Sequence, residues 1–238
     1  MLREGLSLGD SVTADIKRGA TGREISSQEA DRYDEISNWL CCGDVDWNKH
    51  RITLKCRDEL LGRKSHRSSC RPQDAFRMQW VEGVPARDRM GAPDENNASA
   101  GRYNDESRPV LYLSLEYDGA LQEMKRAEAP SRKTLWVQKY SLPLGQLSVL
   151  DVRASGGDDW LWKAFDYCET TERSSDLSSP YPCSRRIAGL VRQAGYDCIL
   201  IPGVRGDPSF RYTNVVVFNF GLHRGCDWQV GKPEEVRR

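Results

Sequence analysis

A short stretch in the middle of the chain carries side chains that could act together on a nucleotide. Gly101-Arg102-Tyr103-Asn104 is followed by Tyr112 and then by Glu123, which supplies a guanidinium, two phenol rings and a carboxylate. An arginine fork binds phosphate oxygens with charge-assisted hydrogen bonds. A fixed carboxylate stabilises the positive charge that develops on a sugar as its glycosidic bond lengthens. These groups suit a site that holds a phosphorylated ribonucleotide and strains its glycosidic bond.

Hydrophobic periodicity predicts the elements that position these groups. Alternate leucines between positions 111 and 115 predict a strand that turns Tyr112 away from the leucine face. Residues 117–126 are predicted to form a helix that carries Glu123. Three and four residues before this glutamate, on the same helical face, are the small residues Ala120 and Gly119. We expect such a face to allow a close approach to the carboxylate.

The same patterns predict the rest of the fold. Residues 76–81 are predicted to form the first strand, with Arg77 pointing away from its apolar face. Residues 83–104 are too long for an ordinary connector and are interpreted as a loop that covers a ligand. Further strands are predicted at 135–140, 148–152, 198–201 and 214–218, and helices at 26–40, 57–61, 160–167 and 187–194. This order predicts an α+β fold with a mixed, largely antiparallel sheet and flanking helices.

Composition argues against several classes of protein. Lys plus Arg and Asp plus Glu both total 35, which removes a global electrostatic reason to bind nucleic acid or an anionic membrane. No apolar run approaches the roughly 20 residues that cross a bilayer, and a cytoplasmic protein with reduced thiols is expected. A zinc site from Cys41, Cys42, Cys56 and Cys70 is conceivable, but the paired spacing of zinc ribbons is absent and no metal is expected.

Several short pieces follow one another in an order typical of a known family. They are Phe76-Arg77, Arg89-Met90-Gly91-Ala92-Pro93, Ala100-Gly101-Arg102-Tyr103-Asn104, Leu111-Tyr112-Leu113 and Ala120-Leu121-Gln122-Glu123, with a closing pattern at 187–188, 195–197, 201–205 and 214–218. In these pieces the chain resembles the RES-domain toxins, which pair with Xre-type helix-turn-helix antitoxins. The resemblance covers residues 72–222.

The resemblance implies an ADP-ribosyltransferase-like fold that takes NAD as substrate and breaks its nicotinamide–ribose bond. The released ADP-ribose would pass to water, to phosphate or to a protein, and an Xre-type antitoxin would neutralise the toxin. The resemblance places the family's arginines on Arg77 and Arg102, its tyrosine on Tyr112 and its glutamate on Glu123. The arginines suit the diphosphate, the tyrosine ring suits the nicotinamide cation, and the glutamate suits the ribose cation.

Other positions add to this set of candidate residues or depart from the family pattern. Arg89 and Tyr103 are further candidates for NAD binding. Many members of the family carry Pro-Ser where this chain has Pro202-Gly203, and the nearest hydroxyls are those of Ser209 and Ser184. Ser209 is counted among the candidates for NAD binding, but the sequence does not determine which serine, if any, replaces the family serine. The glycine also motivates an alternative, a non-catalytic NAD-binding module.

The domain organisation follows from these segments. Residues 1–71 are predicted to form an N-terminal extension with a loosely ordered arm and one or two helices. Residues 72–222 are predicted to form the RES-like, NAD-binding catalytic domain, and residues 223–238 a polar C-terminal tail. The acceptor of ADP-ribose, the role of the extension, the oligomeric state and the identity of the antitoxin do not follow from the sequence.

Overall fold

A computed structural model describes residues 31, 35, 38–39, 47–63, 71–124, 131–153, 165, 182–203 and 211–237. Within these residues the chain forms a seven-stranded sheet with helices packed against it. The strands are β1 (Gln73–Val81), β2 (Leu111–Ser114), β3 (Thr134–Leu142), β4 (Val149–Asp151), β5 (Cys198–Pro202), β6 (Thr213–Val217) and β7 (Gln229–Glu235). The helices are α1 (Arg51–Arg63), α2 (Arg87–Met90), α3 (Tyr117–Met124) and α4 (Pro182–Gln193), with 3-10 turns at Glu95–Asn97 and Cys226–Trp228.

The sheet confirms the predicted fold class. Its strand order is β4-β5-β6-β2-β1-β3-β7, with β4 and β5 parallel and all other neighbours antiparallel. The central strands β5 and β6 are almost wholly buried, because both faces of the sheet are covered there. This accounts for their continuous apolar sequences. The protein is therefore an α+β fold with a largely antiparallel sheet.

Alternation along the strands gives the sheet two faces with different covers. Tyr112 pairs with Val216 and Ser114 pairs with Asn214, so these four side chains share one face. We call it the helical face, because the apolar residues of α1, α3 and α4 pack on it. The opposite face, which we call the loop face, carries Leu111 and Leu113 of β2 together with Ala75, Tyr140 and Leu142, and it packs against connecting segments around Ala92, Leu144 and Trp228.

Helix α1 belongs to the core of the helical face. It begins after His50, whose ring Nδ1 accepts a hydrogen bond from the backbone of Ile52, and it is longer than the predicted 57–61. Ile52, Cys56 and Leu60 recur every four residues and are fully buried beside α4. The hydroxyl of Tyr196, just beyond α4, donates to the Leu60 carbonyl (2.7 Å). The two helices thus cover the helical face together.

The segment expected to be a polar tail instead completes the sheet. After the 3-10 turn at Cys226–Trp228, β7 pairs with β3 as an edge strand. Its sequence shows no apolar alternation because most of its side chains are exposed, and its Gly231 and Pro233 are tolerated at an edge. Gln229 at its start is buried, and its backbone oxygen accepts from Arg87 (2.9 Å).

Several sequence predictions fall outside the described residues. These are the loosely ordered N-terminal arm, most of the helices at 26–40 and 160–167, and Ser209. Of the four cysteines considered for zinc, Cys56 lies in the apolar core and the other three are not described. Among the described residues, no helix is long and apolar enough to cross a membrane, and no cluster of three or more His, Cys, Asp or Glu could hold a metal ion.

We predict that α1 stabilises the whole domain. Leu60→Ala should lower the free energy of unfolding by about 3 kcal/mol, because it leaves a cavity at a fully buried position. Leu61→Ala, at the neighbouring half-exposed position, is the matched control and should change it by less than about 0.5 kcal/mol. Urea unfolding of both variants measures the difference. Equal stabilities would contradict the placement of α1 in the core.

Buried thiols and phenols predict a loss of stability in alkali. Burial raises the pKa of Cys56 and Cys198 from 9.0 to about 12, and that of Tyr140 from 10.0 to about 12. The unfolded chain ionises these groups at lower pH than the folded protein does. Their contribution to stability is therefore full below about pH 9 and is lost as the pH rises towards 12. Urea unfolding at a series of pH values measures this loss. In the double variant Cys56→Ala/Cys198→Ala we expect the free energy of unfolding to fall less steeply with pH. An unchanged dependence on pH would contradict the assignment.

Candidate functional site

The turn Gly101-Arg102-Tyr103-Asn104 is fastened to the hydroxyl of Tyr112. This hydroxyl accepts from the backbone N–H of Tyr103 (2.9 Å) and donates to Oδ1 of Asn104 (3.0 Å). The buried amide of Asn104 in turn donates to the carbonyls of Ser99 (2.9 Å) and Asp105 (3.0 Å). A Cβ on Gly101 would lie 2.5 Å from the Asn104 oxygen, so this close turn needs a glycine. The four residues at 101–104 therefore form one rigid wall beside β2.

The phenol of Tyr112 stays protonated at neutral pH. Burial raises its pKa to about 12, while the Tyr103 N–H and the charges of Arg102, Arg192 and Arg185 act in the opposite direction. The neutral hydroxyl can thus donate to Asn104, as the geometry requires. The ring lies on the helical face, half-buried against the cluster that α1 and α4 form.

Two arginines of α4 join Arg102 near Tyr112. Nε of Arg185 donates to the Gly101 carbonyl (2.8 Å), and Nη2 of Arg192 donates to the Pro109 carbonyl (3.2 Å). The Arg192 guanidinium also lies 4.6 Å from the centre of the Phe218 ring. Burial and the charge of Arg108 lower the pKa of Arg192. The result is a positively charged region around the 101–104 wall.

Arg185 and Arg192 were not among the site residues predicted from the sequence. They are seven residues apart, or about two helical turns, and so lie on one side of α4. This spacing beside the apolar stripe of the helix is the signal that could have singled them out. Their proximity to Tyr112 depends on how α4 packs, which the local sequence does not encode.

The carboxylate of Glu123 is held by two donors. Its Oε1 accepts from the hydroxyl of Tyr212 (2.7 Å) and from Nδ2 of Asn214 (2.8 Å). Glu123 is half-buried near the end of α3, so it is not a solvated residue on an outer helical surface. Hydrogen bonds to an ionised group are stronger than those between neutral groups. The carboxylate is therefore fixed in direction.

The register of β2 and β6 brings Tyr112 and Glu123 into one site. Tyr112 is directly opposite Val216, so Asn214, two residues earlier in β6, is its diagonal neighbour on the helical face. Diagonal neighbours in an antiparallel pair have Cα atoms about 7–8 Å apart. Asn214 holds Glu123, and the carboxylate is consequently anchored to the face of the sheet that carries Tyr112.

The small residues of α3 have a different use from the one expected. The sequence suggested that Gly119 and Ala120 leave room for a ligand. In the structure both are buried, and a Cβ on Gly119 would lie 2.7 Å from Cδ2 of Tyr212 and would also overlap Oγ of Ser114. The space is filled by the protein itself, since α3 approaches β2 and Tyr212 closely through this glycine.

Arg77 lies on the other side of the sheet from Tyr112. It alternates with Phe76 and Met78 in β1, and its Nη1 donates to the Gly91 carbonyl (2.7 Å). With the Gln79 amide oriented to satisfy its neighbours, the Gln79 oxygen accepts from Nε of Arg77 (2.7 Å). Burial lowers the pKa of Arg77. The structure does not bring this arginine to Tyr112 and Glu123; it fastens the connection after α2 on the loop face.

The remaining candidates either lie away from Tyr112 or are buried in the core beside it. Arg89 is exposed in α2, and its carbonyl accepts from the same Gln79 amide (3.2 Å). Tyr103 is 3% exposed, with its ring 6.5 Å from that of Phe165, and it packs as a core residue. Ser209 lies outside the described residues. The structure thus groups Arg102, Tyr112 and Glu123, and adds Arg185, Arg192, Tyr212 and Asn214.

Comparison with known proteins identifies the family. Curated proteins give no match to the chain. Among solved structures, it is similar to one described as "Crystal structure of the M.tuberculosis MbcT-MbcA toxin-antitoxin complex", with 14% identity, coverage of 74% of this chain and 91% of that chain, and a TM-score of 0.44. The family model described as "RES domain" matches residues 74–232, from β1 into β7. Since this match spans more than half of the sequence, the chain belongs to the RES domain family.

Proposed function

We propose that this protein is an NAD-degrading toxin that cleaves the nicotinamide–ribose bond, as a glycohydrolase or a phosphorylase. The observation that carries the proposal is the Glu123 carboxylate, held by Tyr212 and Asn214 on the face of the sheet that also presents Tyr112. Membership of the RES domain family supports it. In this set the arginines suit the diphosphate, Tyr112 suits the nicotinamide cation, and Glu123 suits the cation that forms on the ribose.

The positively charged region around the 101–104 wall suits the diphosphate. The charges of Arg102, Arg185 and Arg192 all act to lower the pKa of the Tyr112 phenol, so the three guanidinium groups lie within electrostatic range of its hydroxyl. Backbone carbonyls at Gly101 and Pro109 fix the direction of the two α4 arginines. Arginines held in this way lose little further freedom on binding an anion. In this arrangement Arg185 and Arg192 take the clamping role that the sequence had suggested for Arg77.

Tyr112 and Glu123 are assigned to the nicotinamide–ribose bond, which breaks. The face of the Tyr112 ring attracts the nicotinamide cation. As the bond from the ribose to nicotinamide lengthens, the positive charge moves to the ribose and nicotinamide leaves as a neutral base. A fixed carboxylate such as Glu123 stabilises this charge without having to reorient. No acid is needed for the leaving group, and water or phosphate then attacks the ribose carbon.

We predict that Glu123→Gln abolishes most nicotinamide release from NAD. The change keeps the shape of the side chain but removes its charge, and the rate should fall by about 100-fold or more. Asp118→Asn is the matched control, since it removes a carboxylate from the exposed side of the same helix. The assay follows nicotinamide released by purified protein, with circular dichroism to confirm folding. No release by the wild type, or equal release by Glu123→Gln, would refute the proposal.

The same assay separates the fates of ADP-ribose. Release that depends on added phosphate indicates a phosphorylase, and release without it indicates a glycohydrolase. With NAD labelled in its adenylate part, label on a macromolecule would indicate transfer to a protein instead. Binding of NAD without release would favour the non-catalytic module.

We predict that Arg185→Ala and Arg192→Ala each weaken NAD binding. A charged hydrogen bond contributes about 1.5–3 kcal/mol, which corresponds to a rise of about tenfold or more in KM. Arg186→Ala is the matched control, because Arg186 lies over the Trp47 ring (4.9 Å) on another side of α4. The KM values for nicotinamide release test this. An unchanged KM in both variants would remove these arginines from the binding site.

The proposal also implies a partner and a compartment. An enzyme that destroys NAD must be blocked in the cell that makes it, so we expect an antitoxin, of Xre type by family resemblance, to cover the Tyr112 and Glu123 region. NAD is abundant in the cytoplasm, where we expect the toxin to act. Co-expression with the antitoxin should restore growth that the toxin alone arrests.

A further inference from the structure

Tyr212 packs closely against two glycines, one in α3 and one just after β5. Its side chain is 4% exposed and stands just before β6. A Cβ on Gly119 of α3 would lie 2.7 Å from Cδ2 and 2.9 Å from Cβ of the tyrosine, and it would also overlap Oγ of Ser114. A Cβ on Gly203 would overlap the Tyr212 ring at Cε2, Cζ and the same Cδ2. The backbone N–H of Gly203 also donates to the Tyr212 carbonyl (2.7 Å).

Neither glycine is required by its backbone conformation. The glycines with positive φ among the described residues are at positions 83, 195, 221, 225 and 231, and they do not include Gly119 or Gly203. Gly119 stands inside a helix, where glycine is less favourable than alanine by about 1 kcal/mol. The room that these residues leave for the Tyr212 ring is therefore the physical reason for both glycines.

Because the Tyr212 ring is packed in this way, its hydroxyl has a fixed position. The Tyr212 hydroxyl donates to Oε1 of Glu123 at 2.7 Å, beside the amide of Asn214 at 2.8 Å. Because Gly119 and Gly203 both lie against the ring, a side chain at either position would displace it. The hydrogen bond to Glu123 is thus imposed by packing as well as by charge.

We propose that Tyr212 is a positioning residue for Glu123, to which it donates its hydroxyl from just before β6. This inference rests on the proposed function of Glu123. A serine at position 203 would place its side chain where the Tyr212 ring lies, so Gly203 and Tyr212 form one matched pair. Tyr212 keeps the carboxylate aimed at the ribose and does not itself contact the substrate.

The first test is Tyr212→Phe, which keeps the ring against the two glycines and removes only the hydroxyl. We expect kcat for nicotinamide release to fall about tenfold or more while KM for NAD stays within about twofold. The matched control is Tyr117→Phe, which removes an exposed phenol hydroxyl from the same region of α3. Gly203→Ala should also lower kcat, because it displaces the ring.

A double-mutant cycle with Glu123→Gln shows whether Tyr212 acts through Glu123. In the Glu123→Gln background, Tyr212→Phe should cause little further loss, since two residues that act as one unit are not additive. An unchanged kcat in Tyr212→Phe, or the same fold loss in both backgrounds, would overturn the proposal. A rise in KM equal to the loss of kcat/KM would also overturn it, because it would indicate a role in binding.

A measurement without substrate separates this inference from the proposed function. The carboxyl carbon resonance of Glu123, identified by its absence in Glu123→Gln, should shift in Tyr212→Phe and stay in place in Tyr117→Phe. If the wild type releases no nicotinamide, the proposed function fails, while the resonance still decides whether Tyr212 holds Glu123. A resonance that does not move in Tyr212→Phe would overturn the inference in either case.

Discussion

The pairing of β2 with β6 is the constraint on which the rest of the candidate site depends. Its register places Tyr112 opposite Val216 and Ser114 opposite Asn214, and alternation turns all four side chains to the helical face. A shift of β2 by one residue would send Tyr112 and Ser114 to the loop face and bring leucines in their place. The apolar residues at 111, 113, 215 and 217 prevent this shift, because they fill the core of the loop face.

Helices packed on the helical face bring the other side chains of the candidate site to it. Helix α3 comes close enough for Glu123 to reach Tyr212 and Asn214 because Gly119 has no side chain. Helix α4 brings two arginines to the turn at 101–104, and α1 supports α4 through fully buried Ile52, Cys56 and Leu60. Helix α1 is thus physically coupled to the site, although it precedes the family match, which begins at residue 74.

Arg77 shows how alternation limits what sequence order can imply about a site. A buried guanidinium must find acceptors, and Arg77 finds them in the Gly91 carbonyl and the Gln79 side chain. Nearby, Tyr140 donates to the Met90 carbonyl (2.5 Å) and Gln229 donates to the Arg87 carbonyl (2.9 Å). These bonds attach the segment from 87 to 91 to β1, β3 and β7. Arg77 therefore stabilises the packing of the loop face.

The sequence by itself determined the features that short-range patterns encode. Period-two alternation placed β1 and β2 and turned Tyr112 away from the leucines, and a 3.6-residue period placed α4 before Gly195. Only the tertiary structure decided which side chains meet. Tyr212 and Asn214 lie 89 and 91 residues along the chain from Glu123, and Arg185 lies 84 residues from Gly101. The edge strand β7 was likewise decided by pairing with β3, since an exposed edge requires no apolar alternation. Contacts of this kind depend on helix packing and strand register, which no local pattern specifies.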